Sequence, residues 1–511
     1  MSYEVELDEH APRPERSQTR QFVAILVIGV VTAQVLGVTI KSPTQLEAND
    51  ISRWCTVWSL LERGTYAIDD CPWQKKTQDK VRKADKLVRP DANSSPLTQF
   101  EYAIAPRAWK MGDSTKHFYS SKPPLLPTLI AATLTPVRKI SGIPLDREIL
   151  TARIDKVELK PDPAHPGMTI EVHTTPDPIK WPVYVFYFKP IVVLLNIVPM
   201  LAFLILYARL LDRYAANEWA WMASLFAAAW GTLLFTFDQT LNNHTVAAYS
   251  AFFALYLALK IWDGEGTGLK TYAGCGFWGA FCAGNELPAA LFGVLLFLAV
   301  FVKSPKKTLI GFVPAAIVPI VAFFLTQYIA MGQFRPVYEE FGTESYTYQG
   351  SYWNAPLEFD YLNVKPESTS LYLFHMTLGH HGVFSLTPIV IFALIGAVRS
   401  FRNASKGQAA TAVLTIVLTI AMLAFYAWNP KARNYGGSTQ GLRWLFWLIP
   451  FWLITLPPGL APGQDRRVYR WLSLSALMLS VFSVGYAIRH PWSHPWILDL
   501  MEQIGLYSLR R

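Results

Sequence analysis

Charged residues are scarce in this chain. Asp, Glu, Lys and Arg make up 16% of its 511 residues, whereas hydrophobic residues make up 52%. A soluble domain of average composition has about 25% charged residues. Many apolar segments approach the roughly 20 residues that a helix needs to span a bilayer. The scarcity of charge excludes an ordinary soluble protein and predicts an all-α polytopic membrane protein.

The positive charges fall mainly between the apolar segments, although the formal net charge of the whole chain is +9. Basic residues in short loops are typical of the cytoplasmic side of a membrane protein. Membrane topology therefore explains the charge. Among the partners we expect membrane lipids and no nucleic acid.

Cysteine is also rare, with four residues in the chain. No C-x-x-C pair and no zinc-ligand spacing occurs, which excludes the common structural zinc sites. Cys275 and Cys282 lie in an apolar stretch, where cysteine behaves as a small core residue. Cys55 and Cys71 share the first polar segment. A disulfide between them in an oxidising compartment and two free thiols are both compatible with the sequence.

The N-terminal region predicts how the chain enters the membrane. Residues 1–21 are polar and contain three arginines, and they are followed by the apolar segment Phe22–Ile40. That segment is about one bilayer thickness long. Basic residues before the first span predict a cytoplasmic tail. Because no cleavage pattern of small residues follows, we interpret Phe22–Ile40 as an uncleaved anchor.

Apolar segments of suitable length recur along the rest of the chain. With the anchor, they predict a transmembrane domain over residues 22–488 with about eleven spans. This arrangement places every short basic loop in the cytoplasm, as expected of a membrane protein. The further spans are predicted near 183–207, 218–237, 244–262, 271–284, 287–302, 308–330, 383–398, 408–427, 442–458 and 471–488.

The same topology predicts two large exoplasmic loops, residues 41–182 and 331–382, and an exoplasmic C-terminal tail, residues 489–511. The first loop contains the proline-bearing apolar run Leu125–Val137, which at about 13 residues is too short for an ordinary span. We interpret it as a re-entrant or interfacial helix. Apolar and polar residues alternate near 168–173, which predicts a short strand.

The stretch Glu47–Tyr66 opens the first loop directly after the anchor. Its apolar residues recur at helical spacing, which predicts an amphipathic interfacial helix. Gly64 is where such a helix is expected to end. Asn49 or Asp50 is expected to cap its start, and a cap that only satisfies backbone N–H groups is the simplest explanation of Asp50.

Two other places on the predicted exoplasmic side are suited to bind an anion. Lys122 precedes two prolines that fit the first turn of a helix, with Ser120 or Ser121 as its cap. The lysine then lies at the positive end of the helix dipole. Arg443 follows a glycine-rich turn, and its guanidinium matches phosphate oxygens. For each residue, simple anchoring at the interface is the alternative.

The segment Lys122-Pro-Pro-Leu125, after an acidic helix that ends at glycine, resembles the first loop of GT-C-fold glycosyltransferases that use lipid-linked sugars. The aminoarabinose transferases and protein O-mannosyltransferases, glycosyltransferase families 83 and 39, are the most similar. Those families have an Asp-Glu pair where this chain has Asn49-Asp50. The resemblance implies that Asp50 is the general base, with Glu47 as the second candidate. It also implies that Lys122 and Arg443 bind the donor phosphate.

Other polar residues near the predicted exoplasmic face are candidates for binding the sugar or the acceptor. We predict this role for Asn49, Arg53, Asn243, His244, Glu286 and Trp353. Helix capping by Asn243 and His244, and interfacial anchoring by Trp353, are the alternatives. His244 and Asp238 are weak candidates for a divalent metal, and the sequence leaves a metal cofactor open.

The resemblance implies an inverting transferase that moves a sugar from a polyprenyl phosphate to a lipid, glycan or protein acceptor. Its active site would face the exoplasmic, or periplasmic, side of the cytoplasmic membrane. A transporter or flippase of lipid-linked or anionic substrates is an alternative, although the ionisable residues concentrate at the exoplasmic mouth. A non-catalytic scaffold with the GT-C fold is another alternative, which Asn49 motivates.

Overall fold

The computed structural model describes residues 17–84, 116–150, 156–165, 167–174, 180–351, 368–403, 405–428 and 435–506. Most of these residues are helical. The helices longer than a single turn are α1 Gln18–Lys41, α2 Ala48–Glu62, α3 Leu125–Ser141, α4 Tyr184–Tyr214, α5 Glu218–Trp230, α6 His244–Trp262, α7 Leu269–Asn285, α8 Ala290–Lys303, α9 Pro305–Met331, α10 Thr369–Thr377, α11 Ile389–Asn403, α12 Lys406–Trp428, α13 Ile449–Leu460, α14 Arg467–Ala487 and α15 Trp496–Gln503.

Strands are short, and in the described part of the chain they lie between α2 and α4. They are β1 Lys80–Ala84, β2 Lys116–Ser120, β3 Glu148–Leu150, β4 Lys156–Pro161, β5 Thr169–Thr174 and β6 Lys180–Pro182. Each belongs to an antiparallel pair: β1 with β2, β3 with β6, and β4 with β5. Lys80 of β1 lies opposite Ser120 of β2. The strand predicted near residues 168–173 is confirmed as β5.

Within the described ranges, eight helices are long and apolar enough to cross a membrane. These segments are Gln18–Lys41, Tyr184–Tyr214, Glu218–Phe237, His244–Trp262, Pro305–Met331, Lys406–Trp428, Arg443–Gln464 and Arg467–Ala487. At the three other predicted spans, the structure has α7 and the shorter apolar helices Leu287–Lys303 and Ile389–Phe401. By length and composition, the chain is a helical multi-pass membrane protein.

The outer surface of the long helices is apolar. On α9, Ile317, Val318 and Val321 are exposed, and so are Trp471 and Leu472 at the start of α14. Large apolar side chains exposed on successive turns are costly in water but suit contact with lipid. The side chains on these surfaces therefore agree with the membrane location that the composition predicts.

Helices α11 and α13 cross at close range. Gly396 and Gly459 lie at the crossing, where a Cβ atom on either residue would overlap a backbone carbonyl oxygen of the other helix. Only glycine allows two helix backbones to approach so closely. The crossing holds α13 in place, and the 3-10 turn Arg443–Leu448 that leads into α13 begins with Arg443.

The buried apolar side chains form one large cluster and two smaller ones. The large cluster joins α1 to α4–α14. The second packs α2 and α3 against the start of α4, and it includes the buried side chains of Trp54 and Trp58. The third holds β1 and β2 against the end of α9 and the residues after it. These two smaller clusters fix the first loop on the helical domain.

Helix α2 is buried on all sides, which differs from the predicted amphipathic interfacial helix. Every residue from Asp50 to Ser59 is buried. Helix α3, strand β2 and the 3-10 turn Gln74–Lys76 pack against it, so its polar face meets other parts of the protein. The end of the helix is as predicted: α2 stops at Glu62, and Gly64 has a φ of 67°.

Candidate active site

Asp50 lies in the first turn of α2 and not at its N-cap. Glu47 is the N-cap residue, and its carboxylate accepts a hydrogen bond from Ala48 N at 3.3 Å. Asp50 Oδ2 accepts a hydrogen bond from Leu46 N, also at 3.3 Å. The prediction that Asn49 or Asp50 is the cap is wrong, because the N–H of Asp50 already bonds to the Glu47 carbonyl and belongs to the helix.

The Asp50 carboxylate is completely buried. Its Oδ1 accepts no hydrogen bond from the part of the chain that the structure describes. Burial raises the pKa of Asp50 to about 7, against the opposing effects of Arg53 and the Leu46 N–H. A buried carboxyl group with a pKa near neutrality is suited to take a proton.

Arg53, one turn further along α2, links this helix to the turn formed by residues 238–243. Its guanidinium donates to the carbonyl oxygen of Leu241 at 3.5 Å and to the side-chain oxygen of Asn243. It also donates to the carbonyl oxygen of Asn49 at 3.3 Å. The structure thus brings two predicted site residues, Arg53 and Asn243, into contact, whereas Asn49 joins them through its backbone.

Three carboxylates lie near the buried guanidinium of Arg53. Burial lowers the pKa of Arg53, and the charges of Asp50, Asp79 and Glu286 oppose this change. A cation away from water is tolerated when carboxylates and hydrogen-bond acceptors balance its charge. The buried positive charge of Arg53 is therefore balanced by these three carboxylates and by its hydrogen-bond acceptors.

Glu286 connects Asn243 to His244. The side-chain amide of Asn243 donates to Glu286 Oε1 at 2.7 Å and to the carbonyl oxygen of Asn285 at 2.8 Å. His244 Nδ1 lies against the same Glu286 oxygen. A carboxylate between the apolar helices α7 and α8 needs such partners. Three residues that the sequence proposed for sugar or acceptor binding therefore meet at the Glu286 carboxylate.

A buried polar network holds the turn that carries Asn243. Asn196, in a π-helical turn of α4, donates to the carbonyl oxygens of Asp238 at 3.0 Å and Thr240 at 2.7 Å. The Asn242 side chain accepts a hydrogen bond from the first turn of α6 at 2.9 Å and so caps that helix. Because Asn242 caps the helix, the Asn243 side chain is able to bond to Arg53 and Glu286.

Lys122 is the second cation of the site, and it pairs with Asp79. Lys122 Nζ lies 3.2 Å from Asp79 Oδ2. Burial lowers the pKa of Lys122 to about 8; Asp79 acts in the opposite direction, and the charges of Arg53 and Arg443 lower it further. Both arginines are thus near Lys122.

Asp79 is a site residue that the sequence analysis missed. The Ser52 hydroxyl of α2 donates to the Asp79 carbonyl oxygen at 2.5 Å. Two residues earlier, the Thr77 hydroxyl donates to the carbonyl oxygen of Ala48 at 2.8 Å. These bonds tie the segment before β1 to the start of α2. No local signal in the polar segment around Asp79 distinguishes it from its acidic neighbours.

The two prolines precede helix α3, whereas the sequence predicted them in its first turn, and the cap differs as well. Pro124 is the N-cap residue of α3, and it makes no side-chain capping bond. The Ser120 hydroxyl instead accepts a hydrogen bond from Lys122 N at 3.1 Å. The predicted cap at Ser120 or Ser121 is therefore wrong, because these serines lie too far before Leu125, where the helix starts.

Arg443 is the third cation. Its Cζ lies 4.8 Å from the centre of the Trp492 ring. The turn before it contains Tyr435, Gly436 and Gly437, with φ values of 53°, 93° and 77°. Glycine adopts such angles without the strain that a side chain causes. The predicted glycine-rich turn is confirmed. Arg443, which follows this turn, lies near Lys122.

Trp492 brings the C-terminal segment into the site, which the sequence analysis did not predict. Besides contacting Arg443, its indole lies near enough to Asp50 to lower the pKa of that carboxyl. The backbone N–H of Gln440 donates to the carbonyl oxygen of Pro491 at 3.1 Å, which fixes this segment to the Arg443 turn. Trp492 therefore contacts both the candidate base and a candidate phosphate ligand.

The two weak metal candidates do not meet. Both side-chain oxygens of Asp238 accept from the Tyr249 hydroxyl, at 2.9 Å and 2.7 Å, whereas His244 pairs with Glu286. Among the residues that the structure describes, no group of three or more His, Cys, Asp or Glu is arranged to hold a metal ion. The geometry therefore gives no support to a metal bound jointly by Asp238 and His244.

An apolar cavity adjoins the Arg443 turn. It lies between α11, α13 and residues 381–387. Leu442 and Phe446, on either side of Arg443 in the sequence, form part of its wall. The Phe446 ring also packs near the His244 ring, with 6.2 Å between their centres. Its lining is almost entirely apolar, which favours an apolar group over a charged one.

The remaining sugar-binding candidate, Trp353, lies outside the described residues. Two tyrosines of the same predicted loop are near the site. Tyr338 lies near Glu286 and Tyr346 near Asp79, and burial raises the pKa of Tyr346. Tyrosine rings offer an apolar face and a hydroxyl, a combination suited to sugars.

Comparison with known proteins adds no family assignment. No protein-family model matches the chain. No curated protein matches it either. The molecule is therefore characterised by the site itself, in which α2, the first loop and the Arg443 turn bring together a buried carboxylate, three cations and an apolar cavity.

Proposed function

We propose that this protein is a membrane glycosyltransferase that moves a sugar from a polyprenyl phosphate to an acceptor, with inversion at C1. The observation that carries the proposal is the Asp50 carboxylate beside Arg53, with Lys122 near Arg53 and Arg443 near Lys122. Each of these groups interacts electrostatically with at least one of the others. A proton acceptor beside fixed cations suits a reaction in which a nucleophile loses a proton while a phosphate leaves.

In the proposed reaction, Asp50 Oδ1 takes the proton from the acceptor as its oxygen or nitrogen attacks C1 of the sugar. The bond from C1 to the phosphate oxygen breaks, and its electron pair stays on the phosphate. Lys122 and Arg443 stabilise the charge that develops on this leaving group. Because the acceptor displaces the phosphate directly, the configuration at C1 is inverted.

Two further features support a lipid-linked sugar as the donor. The apolar cavity beside Arg443 offers an apolar surface close to a head group bound at that arginine. Next to Arg53, Asn243 and Glu286 offer amide and carboxylate groups for hydroxyls of the sugar or the acceptor. A site with an apolar side and a polar side fits a donor of this kind.

We also propose about eleven spans, with the site on the exoplasmic face of the cytoplasmic membrane. A reporter enzyme that is active only outside the cytoplasm, fused after Lys160 in the first loop, is expected to be active. The same reporter fused after Lys306, in a short basic loop, is expected to be inactive. The opposite pattern in the two fusions would place the first loop in the cytoplasm.

The rate of transfer is expected to rise and then fall as the pH increases. Activity rises as Asp50 loses its proton, at a pKa of about 7, and falls as Lys122 loses its proton, at a pKa of about 8. The profile of kcat/KM measures these groups in the free protein. If kcat/KM is already maximal at about pH 5, where a carboxyl of raised pKa is protonated, Asp50 is not the base.

The proposed function is tested with purified protein in lipid vesicles. Radiolabelled polyprenyl-phosphate sugars and an extract of membrane acceptors are added, and the label is followed from the donor to the acceptor. Transfer that requires the protein is expected, with empty vesicles as the control. Movement of the donor across the bilayer without transfer would identify a flippase instead, and neither activity with any donor would favour a scaffold.

A further inference from the structure

Cys55 and Cys71 lie side by side in the first loop. Cys55 belongs to the buried face of α2, and Cys71 lies in the turn that follows it, with exposed fractions of 0% and 5%. Their side chains are close enough to interact with each other, and both are thiols in this structure. Ile68 and Trp73 belong to the same apolar cluster. Of the four cysteines of the chain, Cys55 and Cys71 are therefore the pair that the fold brings together in the first loop.

We propose that Cys55 and Cys71 are joined by a disulfide in the mature protein. The inference rests on the proposed exoplasmic location of the first loop, where disulfides form and persist. Two S–H bonds break and one S–S bond forms. The two electrons and two protons pass to the disulfide of an exoplasmic thiol–disulfide oxidoreductase, which becomes a dithiol.

The timing of this step follows from the burial of both sulfur atoms. Burial raises the pKa of the Cys55 thiol, and the adjacent Cys71 raises it further. Thiol–disulfide exchange needs a thiolate and access to it. The bond is therefore made before the first loop closes over α2, and once made it is shielded from reductants.

The disulfide would brace the candidate active site. It joins α2, which carries Asp50 and Arg53, to the turn that leads to Asp79 and its partner Lys122. Thr77 and Ser52 already hold the two segments together through hydrogen bonds. A covalent link between the two segments restricts the unfolded chain and favours the closed arrangement.

The test counts reactive thiols in the full-length protein. Membranes are quenched in acid and dissolved in detergent, and the chain is labelled with a maleimide that adds visible mass, with and without prior reduction. Wild-type protein is expected to gain two adducts before reduction and four after it, because Cys275 and Cys282 stay free. Four adducts before reduction would overturn the proposal.

Two variants identify the pair under the same denaturing conditions, so their folding does not affect the count. Cys55→Ala is expected to carry three adducts with or without reduction. Cys275→Ala, the matched control, is expected to keep the gain of two adducts on reduction. A reduction-dependent gain that persists in Cys55→Ala would also overturn the proposal. The sugar-transfer assay does not depend on this count, so failure of the disulfide and failure of the proposed function are distinguishable.

Discussion

Replacement of Asp50 by asparagine is expected to lower the rate of sugar transfer by about 10²- to 10⁴-fold, the range that loss of a general base produces. The substitution keeps the size of the side chain and an oxygen that can accept from Leu46 N, so the start of α2 is preserved. It removes the basic oxygen that would take the acceptor proton. The measurement is kcat at saturating donor, on protein that elutes as the wild type does in gel filtration.

Two controls make this loss specific to Asp50. Asp70→Asn removes an acid from the same loop. Asp70 is exposed, and its Oδ2 lies 3.4 Å from Arg63 Nε. This variant is expected to have wild-type activity. Glu47→Gln tests the second candidate for the base. Loss of activity in Glu47→Gln together with wild-type activity in Asp50→Asn would move the catalytic role to Glu47.

Replacement of Arg443 by alanine is expected to lower kcat/KM for the polyprenyl-phosphate donor by about 10²-fold. Removing one charged hydrogen-bond donor from a site where negative charge develops has an effect of this size. The change for the acceptor is expected to be small, because the acceptor meets Asp50 and the Asn243 group instead. The measurement is the dependence of the initial rate on each substrate in turn.

The chain offers a matched control for the arginine. Arg470 also stacks on a tryptophan, with its Cζ 5.7 Å from the centre of the Trp219 ring, at the other end of the long helices. Arg470→Ala removes the same kind of contact far from the site and is expected to leave the KM for the donor unchanged. Arg443→Lys keeps the charge without the planar guanidinium, and an intermediate rate is expected. Equal donor dependence in all variants would exclude Arg443 as a phosphate ligand.

The sequence was sufficient for features that depend on local chemistry. A span needs about 20 apolar residues whatever packs against it, so α1, α6 and α12 coincide closely with predicted spans. The end of α2 near Gly64 likewise follows from backbone preferences. Each of these signals lies within a few residues of the feature that it predicts.

Contacts between distant segments could not be predicted in this way. Asp79 pairs with Lys122, and Trp492 reaches Arg443 from the C-terminal segment, yet no periodicity or motif marks either residue. The burial of α2 is of the same kind. An amphipathic interfacial helix exposes its polar residues, but carbonyl and amide groups of the 238–243 turn cover Arg53. Which element covers a polar face is a property of the tertiary fold.

The configuration at C1 of the transferred sugar tests the central claim most directly. Wild-type protein is supplied with a polyprenyl-phosphate donor of one known anomeric configuration, and the product is analysed by NMR spectroscopy. One-step displacement assisted by Asp50 predicts a product of the opposite configuration, formed by the wild type and not by Asp50→Asn. A product that retains the donor configuration would contradict the account. So would the absence of any product when the wild type is tested with every polyprenyl-phosphate donor.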